Sequence, residues 1–449
     1  MELYASGDNY LLYHGSMLDM GDVIDDCSID AIVTDPPYEL NFMNKGWDNA
    51  GISFQFQTWR KCFNVLKPGG YLLAFGGSRT FHRIAVAIED AGFEIRDTIM
   101  WLYGSGFPKA MDLGKSIESK ILTGSGNPQE FRNLDGTKIE SGNLGFDKMR
   151  FEHGTRPKQY LEDNHLIITD VNYKTELGKA YDNWKTALKP AFEPIIVARK
   201  PCEGTCVDNV MKYGVGALNI GDCKVGNDKI EYYPTDLKNA HGNKLGNGAY
   251  TPKDTSKDII SYNGRYPSNV ILTYDDDDFE EVCGGFPESG DDSAARYFYC
   301  AKASKRDRDE GCEYLEDSIV AISNQAQAEL KRGNVDFDDN KGKYNKIYRG
   351  KNTHPTVKPT DLMQYLVRLV APKGSVILDP FNGSGSTGKA VMYENKDRQK
   401  DYCYIGIDLS ENYLAISKAR IEFASGKGVS ATRETPKKND SCDEQLHML

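Results

Sequence analysis

Apolar and polar positions alternate regularly at both ends of this 449-residue chain and lose that regularity in the middle. Near the N-terminus, the short apolar run "IDAIVTDPPY" predicts a buried strand that stops at two prolines. The segment "FQFQTWRKCFNVLKPGG" has apolar residues at helical spacing and predicts a helix closed by Pro68, Gly69 and Gly70. The runs "YLLAFGG", "TFHRIAVAIEDAG" and "FEIRDTIMW" then predict a strand, a helix and a strand. This alternation predicts an α/β sheet.

The same alternation resumes near the C-terminus. There "TDLMQYLVRLV", "STGKAVMYE" and "ENYLAISKARIEFA" predict helices, while "SVILDPF" and "YCYIGIDL" predict strands. From 113 to 185 and from 203 to 340 the chain is rich in Gly, Asn, Asp and Tyr, and only "PSNVILTY" and "ARYFYCAKA" predict short strands. Between these regions "AFEPIIVARK" predicts one more buried strand. We therefore expect one α/β core built from both ends of the chain.

Composition narrows the class of protein. Hydrophobic content of 39% and charged content of 27% are ordinary for a globular protein. No apolar run is long enough to span a membrane, and the N-terminus lacks the pattern of a signal peptide. Ten cysteines without a paired rhythm are typical of reduced thiols in a cytosolic protein, so we expect a cytoplasmic location. Cys202 and Cys206 have no histidine or second pair beside them, so no metal site is expected.

One segment is strongly basic although the net charge is −11. Between Lys341 and Lys358 there are six Lys or Arg and no acid, interleaved with two tyrosines. A solvated loop has this composition, and so has a surface that contacts backbone phosphates of nucleic acid. The second interpretation makes Lys343, Lys346 and Arg349 candidate DNA-binding residues.

The stretch "DPFNGSGSTGKAV" fits three kinds of ligand site. Gly383, Gly385 and Gly388 match the G-x-G-x-x-G pattern of dinucleotide-binding loops. Residues 383–389 also match the G-x-x-x-x-G-K pattern of phosphate-binding loops, although Ala390 stands where Ser or Thr would ligate magnesium. A third interpretation is a loop that holds a cofactor without phosphate.

The residues around this loop favour the third interpretation. Asp379 precedes the glycines and places negative charge where a pyrophosphate would sit, so it suits a ligand with an ammonium or sulfonium group. The next strand ends in Asp408, where an acid accepts hydrogen bonds from ribose hydroxyls. S-adenosylmethionine carries all these groups, and its carboxylate suits the helix N-terminus near Ser384 to Ser386. An ATPase stays open as an alternative that follows from the phosphate-loop pattern.

The second motif, "TDPPYEL", ends the first strong strand. Two prolines remove two backbone donors, so carbonyls there stay available to accept from a ligand. Asp35 adds a carboxylate acceptor, and Tyr38 offers a ring that can stack on a base. Acceptors beside a stacking ring fit an exocyclic amine of a nucleobase, whereas a lone D-P-P would more often be a capped turn.

The motifs and their order resemble the β-class amino-methyltransferases of DNA, which make N6-methyladenine or N4-methylcytosine. "DAIVTDPPYELNF" is similar to the catalytic motif of that family, "KPAFEPIIVARKP" to the strand before its target-recognition region, and "DPFNGSGSTG" to its cofactor loop. "HPTVKPTDLMQYLVRLV" resembles the segment at the methionine end of the cofactor, "IGIDLSENY" the ribose-binding stretch and "GSMLDM" the stretch that meets the adenine. The resemblance covers most of the chain.

This resemblance implies a Rossmann-like S-adenosylmethionine-dependent methyltransferase sheet of the α/β class. The motif order is permuted, with the catalytic half first, and a target-recognition region is inserted. The implied segments are 1–112 (catalytic half), 113–185 (insertion), 186–202 (core strand), 203–340 (target-recognition region), 341–425 (cofactor-binding half) and 426–449 (a polar tail typical of disorder).

The resemblance also implies two groups of site residues. The catalytic group is Asp35, Pro36, Pro37 and Tyr38. The cofactor-binding group is Met17, Thr34, Asp35, His354, Thr356, Lys358, Asp379, Pro380, Phe381, Gly383, Ser384, Gly385, Ser386, Asp408 and Leu409. A base in a duplex cannot reach such a cleft, so it is expected to flip out and stack on Tyr38.

The expected function is transfer of a methyl group from S-adenosylmethionine to the N6 amine of adenine in double-stranded DNA. Asp35, in place of the Ser more usual in the cytosine enzymes, favours adenine, and cytosine-N4 is the alternative. A DNA-binding regulator that keeps the fold without turnover is an alternative of another class. A separate cognate restriction endonuclease and a homodimer are candidate partners, and no membrane partner is expected.

Pro201 and Cys202 match the Pro-Cys dipeptide of cytosine carbon-5 methyltransferases, in which the cysteine is the nucleophile. Carbon-5 chemistry needs a thiolate that attacks the ring covalently. Because the D-P-P-Y motif already occupies the catalytic position, we interpret Cys202 as an ordinary loop thiol.

Overall fold

A computed structural model describes residues 1–40, 51–103, 110–124, 173, 175–232, 260–273, 298–300, 303–316, 318–321 and 347–426. The chain forms two compact units, one comprising Met1–Gly104 with Phe192–Leu449 and the other Ser105–Ala191. The expected tail beyond 426 lies outside the described residues. The six segment boundaries given above stay a prediction.

Fourteen strands occur among the described residues. They are β1 (Glu2–Gly7), β2 (Tyr10–His14), β3 (Ile29–Thr34), β4 (Leu66–Phe75), β5 (Glu94–Tyr103), β6 (Phe192–Arg199), β7 (Val225–Tyr232), β8 (Ile260–Arg265), β9 (Val270–Thr273), β10 (Phe298–Tyr299), β11 (Ser318–Ala321), β12 (Ile347–Gly350), β13 (Val376–Asp379) and β14 (Cys403–Asp408). Ten of them form one sheet in the order β1-β2-β14-β13-β3-β4-β6-β5-β9-β10. The pairs β7–β8 and β11–β12 form separate antiparallel ribbons.

Nine α-helices occur in the same described ranges. They are α1 (Phe56–Val65), α2 (Phe81–Asp90), α3 (Leu113–Thr123), α4 (Glu176–Ala180), α5 (Cys206–Tyr213), α6 (Lys305–Asp309), α7 (Thr360–Val370), α8 (Ser386–Arg398) and α9 (Glu411–Ala424). Short 3-10 helices span Met17–Asp22, Ile52–Phe54 and Gly221–Cys223. Among the described residues, no helix is long and apolar enough to cross a membrane.

The centre of the sheet is parallel and buried on both faces. Every residue of β3 and β13 is buried, as expected for parallel strands covered by helices on either side. The strand β13 pairs in parallel with β3, where Ile377 faces Ala31, and with β14 on its other side. The carboxyl ends of β3, β13 and β14 therefore lie at one edge of the sheet. The strands that precede Asp35 and Asp379 thus lie side by side, although the two residues are far apart in the chain.

The chain leaves the central pair in opposite directions. From β3 it passes through α1 to β4, whereas from β13 it passes through α8 to β14 on the other side. Such a reversal opens a crevice at the carboxyl ends of the strands, where ligands bind in open α/β sheets. The methyltransferase-type α/β class expected from the sequence is the fold observed.

The strand β6 runs antiparallel to both of its neighbours, β4 and β5. Its first residues therefore lie at the edge where the parallel strands end. Glu193, its second residue, faces Trp101 of β5, and Ile195 faces Phe75 at the end of β4. Reversal of this one strand brings an acidic side chain from the middle of the chain to the crevice.

The predicted helix ending at Pro68, Gly69 and Gly70 is wrong at its C-terminus. The helix α1 ends at Val65, and the Pro-Gly-Gly stretch lies within β4. The register with β3 shifts there, which marks a bulge, and Gly69 takes a φ of 78° that suits glycine. The carbonyl of Pro68 accepts a 2.9 Å hydrogen bond from Asn209, so the bulge is anchored by α5.

The smaller unit contains α3 and α4. Asp112 caps α3 by accepting from the backbone N–H of Lys115 at 3.1 Å, and it forms an ion pair with Lys185. Glu118 of α3 accepts from the backbone N–H and the hydroxyl of Thr175, which caps α4. The contacts of Glu118 thus join the middle of α3 to the N-terminus of α4.

Candidate active site

A buried carboxylate joins the two motifs at the central crevice. Asp379, at the end of β13, accepts from the hydroxyl of Thr34 at 2.7 Å, the hydroxyl of Thr387 at 2.7 Å and the backbone N–H of Phe381 at 3.1 Å. Burial raises the pKa of Asp379 to about 7, against the lowering effect of these hydrogen bonds. Three donors converge on Asp379, so this residue joins the end of β3, the start of the glycine loop and α8.

A second cluster surrounds Asp35, the residue after β3. The ammonium of Lys358 lies 2.6 Å from Oδ2 of Asp35 and 3.4 Å from Oε2 of Glu193. The hydroxyl of Tyr38 donates to the same Glu193 oxygen at 3.0 Å. The Lys358 nitrogen also lies 5.4 Å from the centre of the Tyr38 ring and 4.9 Å from that of Phe75, which is cation–π distance.

Burial dominates the electrostatics of this cluster. Burial raises the pKa of Asp35 above its ordinary value, against the lowering effect of Lys358. Burial alone would lower the pKa of Lys358, but the carboxylates of Asp35 and Glu193 raise it, so the ammonium stays charged. Two carboxyl groups, those of Asp35 and Glu193, therefore share one ammonium.

One oxygen of Asp35 has no partner. Its Oδ1 atom is buried and accepts no hydrogen bond from the described residues, although Oδ2 is paired. A buried acceptor left without a donor costs about 1–3 kcal/mol. A ligand that brings an N–H group to Oδ1 would recover this cost, so the atom marks a place where a donor is expected to bind.

The prolines next to Asp35 contribute less acceptor capacity than the sequence suggested. The carbonyl of Pro37 already accepts from the hydroxyl of Ser53 at 2.7 Å, and the carbonyl of Tyr38 accepts from Thr80 at 2.8 Å. These bonds hold the turn that presents Tyr38. One lone pair of the Pro37 carbonyl is thus occupied, and acceptance from a ligand by the carbonyls of this turn stays a prediction.

The glycine loop is closed by Asp408. This residue ends β14 and accepts from the backbone N–H of Gly383 at 2.7 Å and of Ser410 at 2.8 Å. Gly383 and Gly385 have φ values of 52° and 71°, a region that favours glycine. Burial raises the pKa of Asp408 to about 6. Each of its oxygens keeps a lone pair that could accept from a further donor.

The serines of the loop face inward. The guanidinium of Arg420, from α9, donates to the Ser384 carbonyl at 2.8 Å and to the hydroxyls of Ser384 and Ser386 at 3.1 Å. Their hydroxyls thus stabilise the loop from below, and their backbone alone remains to meet a ligand. The sequence analysis missed Arg420, because nothing in the local sequence of α9 marks this arginine as a support of the loop.

The lysine that completes the phosphate-loop pattern is buried elsewhere. Lys389 is 1% exposed and forms ion pairs with Asp307 at 2.8 Å and Glu310 at 2.9 Å. Both acids belong to the segment that contains α6. Because the ammonium of Lys389 already pairs with these two acids, it cannot bind a phosphate in the loop. The geometry therefore removes the main support for the ATPase interpretation.

His354 packs against the opposite side of the loop. Its Nε2 atom lies where a Cβ on Gly383 would come within 2.8 Å, and its ring is 4.6 Å from that of Tyr413. Burial, with Lys358 and Arg308 nearby, lowers the pKa of His354 to about 3, so the imidazole is neutral. Thr356, by contrast, is exposed.

Four further residues expected at the cofactor lie around the same edge. Met17 begins a 3-10 helix and its side chain is buried in the core, which leaves its backbone for a ligand. Leu409 is 65% exposed, and its carbonyl lies 3.2 Å from Nε2 of His14. Pro380 is buried, and Phe381 packs 6.4 Å from Trp59 between ring centres. Their roles toward a cofactor stay predictions.

The sequence analysis also missed Glu193, which belongs to the cluster around Asp35. A single acid in the apolar run "FEPIIVAR" was an available signal, because an acid in a buried strand needs a partner. Only the antiparallel direction of β6 shows that the acid reaches Lys358 and Tyr38.

The basic stretch is only partly described. Lys343 and Lys346 lie outside the described residues, and Arg349 lies in β12 opposite Ile319 of β11. Nearby, the ammonium of Lys351 donates to the Leu315 carbonyl at 3.1 Å. Contact between this stretch and DNA stays a prediction.

The Pro-Cys dipeptide lies far from the crevice. Cys202 follows the C-terminal end of β6, whereas Glu193 lies at its N-terminal end, roughly 20 Å away at the usual rise of a strand. Arg199 donates to the sulfur of Cys206 at 3.3 Å. Among the described residues, no group of three or more His, Cys, Asp or Glu is placed to hold a metal ion.

Comparison with known proteins agrees with this geometry. Residues 29–419 match a family model described as DNA methylase. Type II methyltransferase M.HpaI of Haemophilus parainfluenzae is 28% identical over 158 residues, which are 34% of this chain and 49% of M.HpaI. Type II methyltransferase M2.DpnII of Streptococcus pneumoniae is 38% identical over 77 residues, 17% of this chain and 26% of M2.DpnII. The chain thus spans half or less of these two relatives.

One similar solved structure, from Thermus thermophilus, is described as a putative DNA modification methylase complexed with S-adenosyl-L-methionine. The match covers 92% of this chain and 93% of the chain in that structure. The two chains are 14% identical, and the TM-score of the match is 0.36. The family model spans most of the chain, from the strand before Asp35 to the helix after Asp408. On that match the chain belongs to the DNA methylase family of N6 and N4 methyltransferases.

Proposed function

We propose that this protein transfers a methyl group from S-adenosylmethionine to the N6 amine of an adenine flipped out of double-stranded DNA. The observation that carries the proposal is the buried Oδ1 atom of Asp35, which lacks a donor at the carboxyl end of β3. An exocyclic amine supplies an N–H donor and is the group to be methylated. Family membership supports the same chemistry.

Asp35 has two tasks in this reaction. As hydrogen-bond acceptor, Oδ1 orients the amine so that the nitrogen lone pair faces the methyl donor, and orientation supplies much of the rate enhancement. As the new N–C bond forms, the amine becomes acidic and releases a proton toward the carboxylate. The raised pKa of Asp35 suits a group that takes up this proton.

Tyr38 and the glycine loop have the complementary tasks. The Tyr38 hydroxyl donates to Glu193, and the main-chain carbonyl of Tyr38 accepts from the Thr80 hydroxyl. The ring held in this way offers a fixed face on which the flipped base stacks. When bound, S-adenosylmethionine supplies an electrophilic methyl group. The lone pairs left on Asp408 fit the ribose hydroxyls of such a nucleoside. The pairing of Lys389 with Asp307, which keeps its ammonium from the loop, also fits a ligand without phosphate.

The choice of adenine rests on Asp35 itself. The resemblance associates Ser at this position with cytosine enzymes, and this chain has Asp. A single carboxylate oxygen also suits the N4 amine of cytosine, so cytosine-N4 methylation is the second candidate. A cytoplasmic location, a separate restriction endonuclease and a homodimer stay predictions.

The test is a methyl-transfer assay with purified full-length protein. Unmodified bacteriophage DNA and S-adenosylmethionine with a tritiated methyl group are incubated together, and the DNA is digested to nucleosides. We expect label in N6-methyladenine, and label in N4-methylcytosine would establish the second candidate. DNA binding without incorporated label would contradict both and favour a non-catalytic regulator.

A further inference from the structure

Glu193 is an acidic residue in a position where acids are rare. Its strand is buried from Pro194 onward, yet its own side chain reaches the crevice and is 22% exposed. Its Oε2 atom receives the Tyr38 hydroxyl at 3.0 Å and lies 3.4 Å from the Lys358 ammonium. Its other oxygen lies 3.5 Å from the Tyr103 hydroxyl. Glu193 therefore contacts two residues of the proposed active site, Tyr38 and Lys358.

The contact with Lys358 bears on which Asp35 oxygen is free. An ammonium has three donors, and in this structure one of them lies toward Asp35 Oδ2 while Glu193 lies on another side. Without the charge of Glu193, the ammonium would be drawn to Asp35 alone. It could then bridge both carboxylate oxygens and occupy Oδ1. Glu193 thus keeps Lys358 on the Oδ2 side.

The hydrogen bond from the Tyr38 hydroxyl to Glu193 limits the movement of the Tyr38 ring. A phenol hydroxyl donating to a carboxylate is a strong, directional bond, and this one fixes the ring at its far end. The hydroxyl of Thr80 donates to the main-chain carbonyl of Tyr38 and so holds the backbone from which the ring extends. A ring anchored at its hydroxyl on a fixed backbone presents its face at a lower entropy cost of ordering when a base binds.

We propose that Glu193 is a positioning residue that holds the Tyr38 ring ready for a flipped base and holds Lys358 away from Asp35 Oδ1. The inference rests on the proposed function and deepens it. Glu193 does not touch the reacting atoms, and its effect on the reaction passes through its two partners.

The test uses Glu193→Gln, which keeps the shape of the side chain and removes its charge. Glu94→Gln is the matched control, because Glu94 pairs with Arg199 at 2.7 Å at the other end of the same pair of strands. Two short duplexes of the same sequence serve as substrates, one with adenine at the target for methylation and one with 2-aminopurine there for fluorescence, because 2-aminopurine lacks the N6 amine. The sequence comes from base-resolved sequencing of DNA from expressing cells. Single-turnover methylation and 2-aminopurine fluorescence with S-adenosylhomocysteine bound are measured.

We expect Glu193→Gln to lower the single-turnover rate by about tenfold to a hundredfold and to reduce the fluorescence change, since misplacement of reacting groups has effects of this size. Glu94→Gln is expected to behave as the wild type in both measurements. Tyr38→Phe keeps the ring and loses the anchor, so it should lower base flipping by about tenfold. In the Tyr38→Phe background, Glu193→Gln should have a smaller effect on flipping, because the two share one bond.

The outcomes separate the inference from the proposed function. If the wild type methylates and Glu193→Gln matches Glu94→Gln in rate and fluorescence, the positioning role is wrong while the function stands. If Glu193→Gln unfolds at a lower temperature than Glu94→Gln, a slower reaction could come from lost stability, and the test then rests on Tyr38→Phe. Unchanged base flipping by Tyr38→Phe overturns the inference. A wild type that transfers no methyl group overturns both.

Discussion

The hydroxyl of Thr34 donates a 2.7 Å hydrogen bond to the carboxylate of Asp379, which lies 345 residues further along the chain. Both residues end neighbouring parallel strands, β3 and β13, and both are buried. The bond joins the motif that carries Asp35 to the loop proposed to hold the cofactor. Under the proposed function, this contact inside the sheet would set the distance between the methyl acceptor and the methyl donor.

Removing this bond should cost stability. Thr34→Val keeps the shape of the side chain and leaves the buried Asp379 carboxylate with one donor fewer, so we expect the free energy of unfolding to fall by about 1–3 kcal/mol. Urea denaturation of wild type and variant measures the difference. Thr98→Val, at a half-buried position of β5, is the control and should change it by less than about 0.5 kcal/mol. Equal stability of all three proteins would show that Thr34 does not support Asp379.

Asp379 should also make stability depend on pH. Its folded pKa of about 7 lies above the ordinary value of 3.8, so the folded state favours the protonated form. Its contribution to stability is fully present below pH 4 and is lost as pH rises toward 7. Each unit of pKa separation corresponds to about 1.4 kcal/mol. The stability of the wild type relative to Asp379→Asn should therefore decline between pH 4 and 7, and a constant difference would contradict the raised pKa.

Asp408 should control cofactor affinity. Asp408→Ala removes the acceptor proposed for the ribose hydroxyls and also frees the Gly383 N–H, so binding of S-adenosylmethionine should weaken by about 1–3 kcal/mol. Calorimetric titration of the full chain measures this. Asp401→Asn is the control, because Asp401 is exposed and pairs only with Lys373 in the described structure. Equal affinities for all three proteins would place the ribose elsewhere.

Sequence patterns predicted much of this site because its polar residues follow apolar strands. The runs before Asp35, Asp379 and Asp408 are continuous and apolar, so their pairing in parallel and their common edge could be expected. Three-dimensional contacts decided what the patterns left open. Lys389 matches a phosphate-loop motif but its partners, Asp307 and Glu310, lie about 80 residues earlier in the chain.

Contributions from distant elements could not be predicted in the same way. Glu193 reaches the site because one strand runs antiparallel, and hydrophobic periodicity does not encode strand direction. The end of α1 was misplaced because Pro68 and Gly69 serve equally well as a helix stop and as a bulge inside a strand. In both cases the pairing partner, rather than the local sequence, determines the outcome.

The basic stretch should contribute to DNA affinity. Replacement of Lys343, Lys346 and Arg349 together by Ala should weaken binding and flatten its salt dependence by about 0.9 units of log–log slope for each lost phosphate contact. Fluorescence anisotropy of a labelled duplex at several salt concentrations measures both. Lys418→Ala on α9, a lysine paired with Glu422, is the control. Unchanged slope and affinity in the triple variant would assign DNA binding to another surface.

The central claim is that Asp35 accepts the hydrogen bond of the target amine. Asp35→Ala removes this acceptor and leaves the glycine loop intact, so catalysis should suffer more than cofactor binding. The decisive measurement is single-turnover methylation of the cognate duplex by wild type and Asp35→Ala, with S-adenosylhomocysteine affinity determined in parallel by calorimetry. The account predicts a rate at least about a hundredfold lower, with a much smaller loss of cofactor affinity. Methylation by Asp35→Ala at the wild-type rate would contradict it.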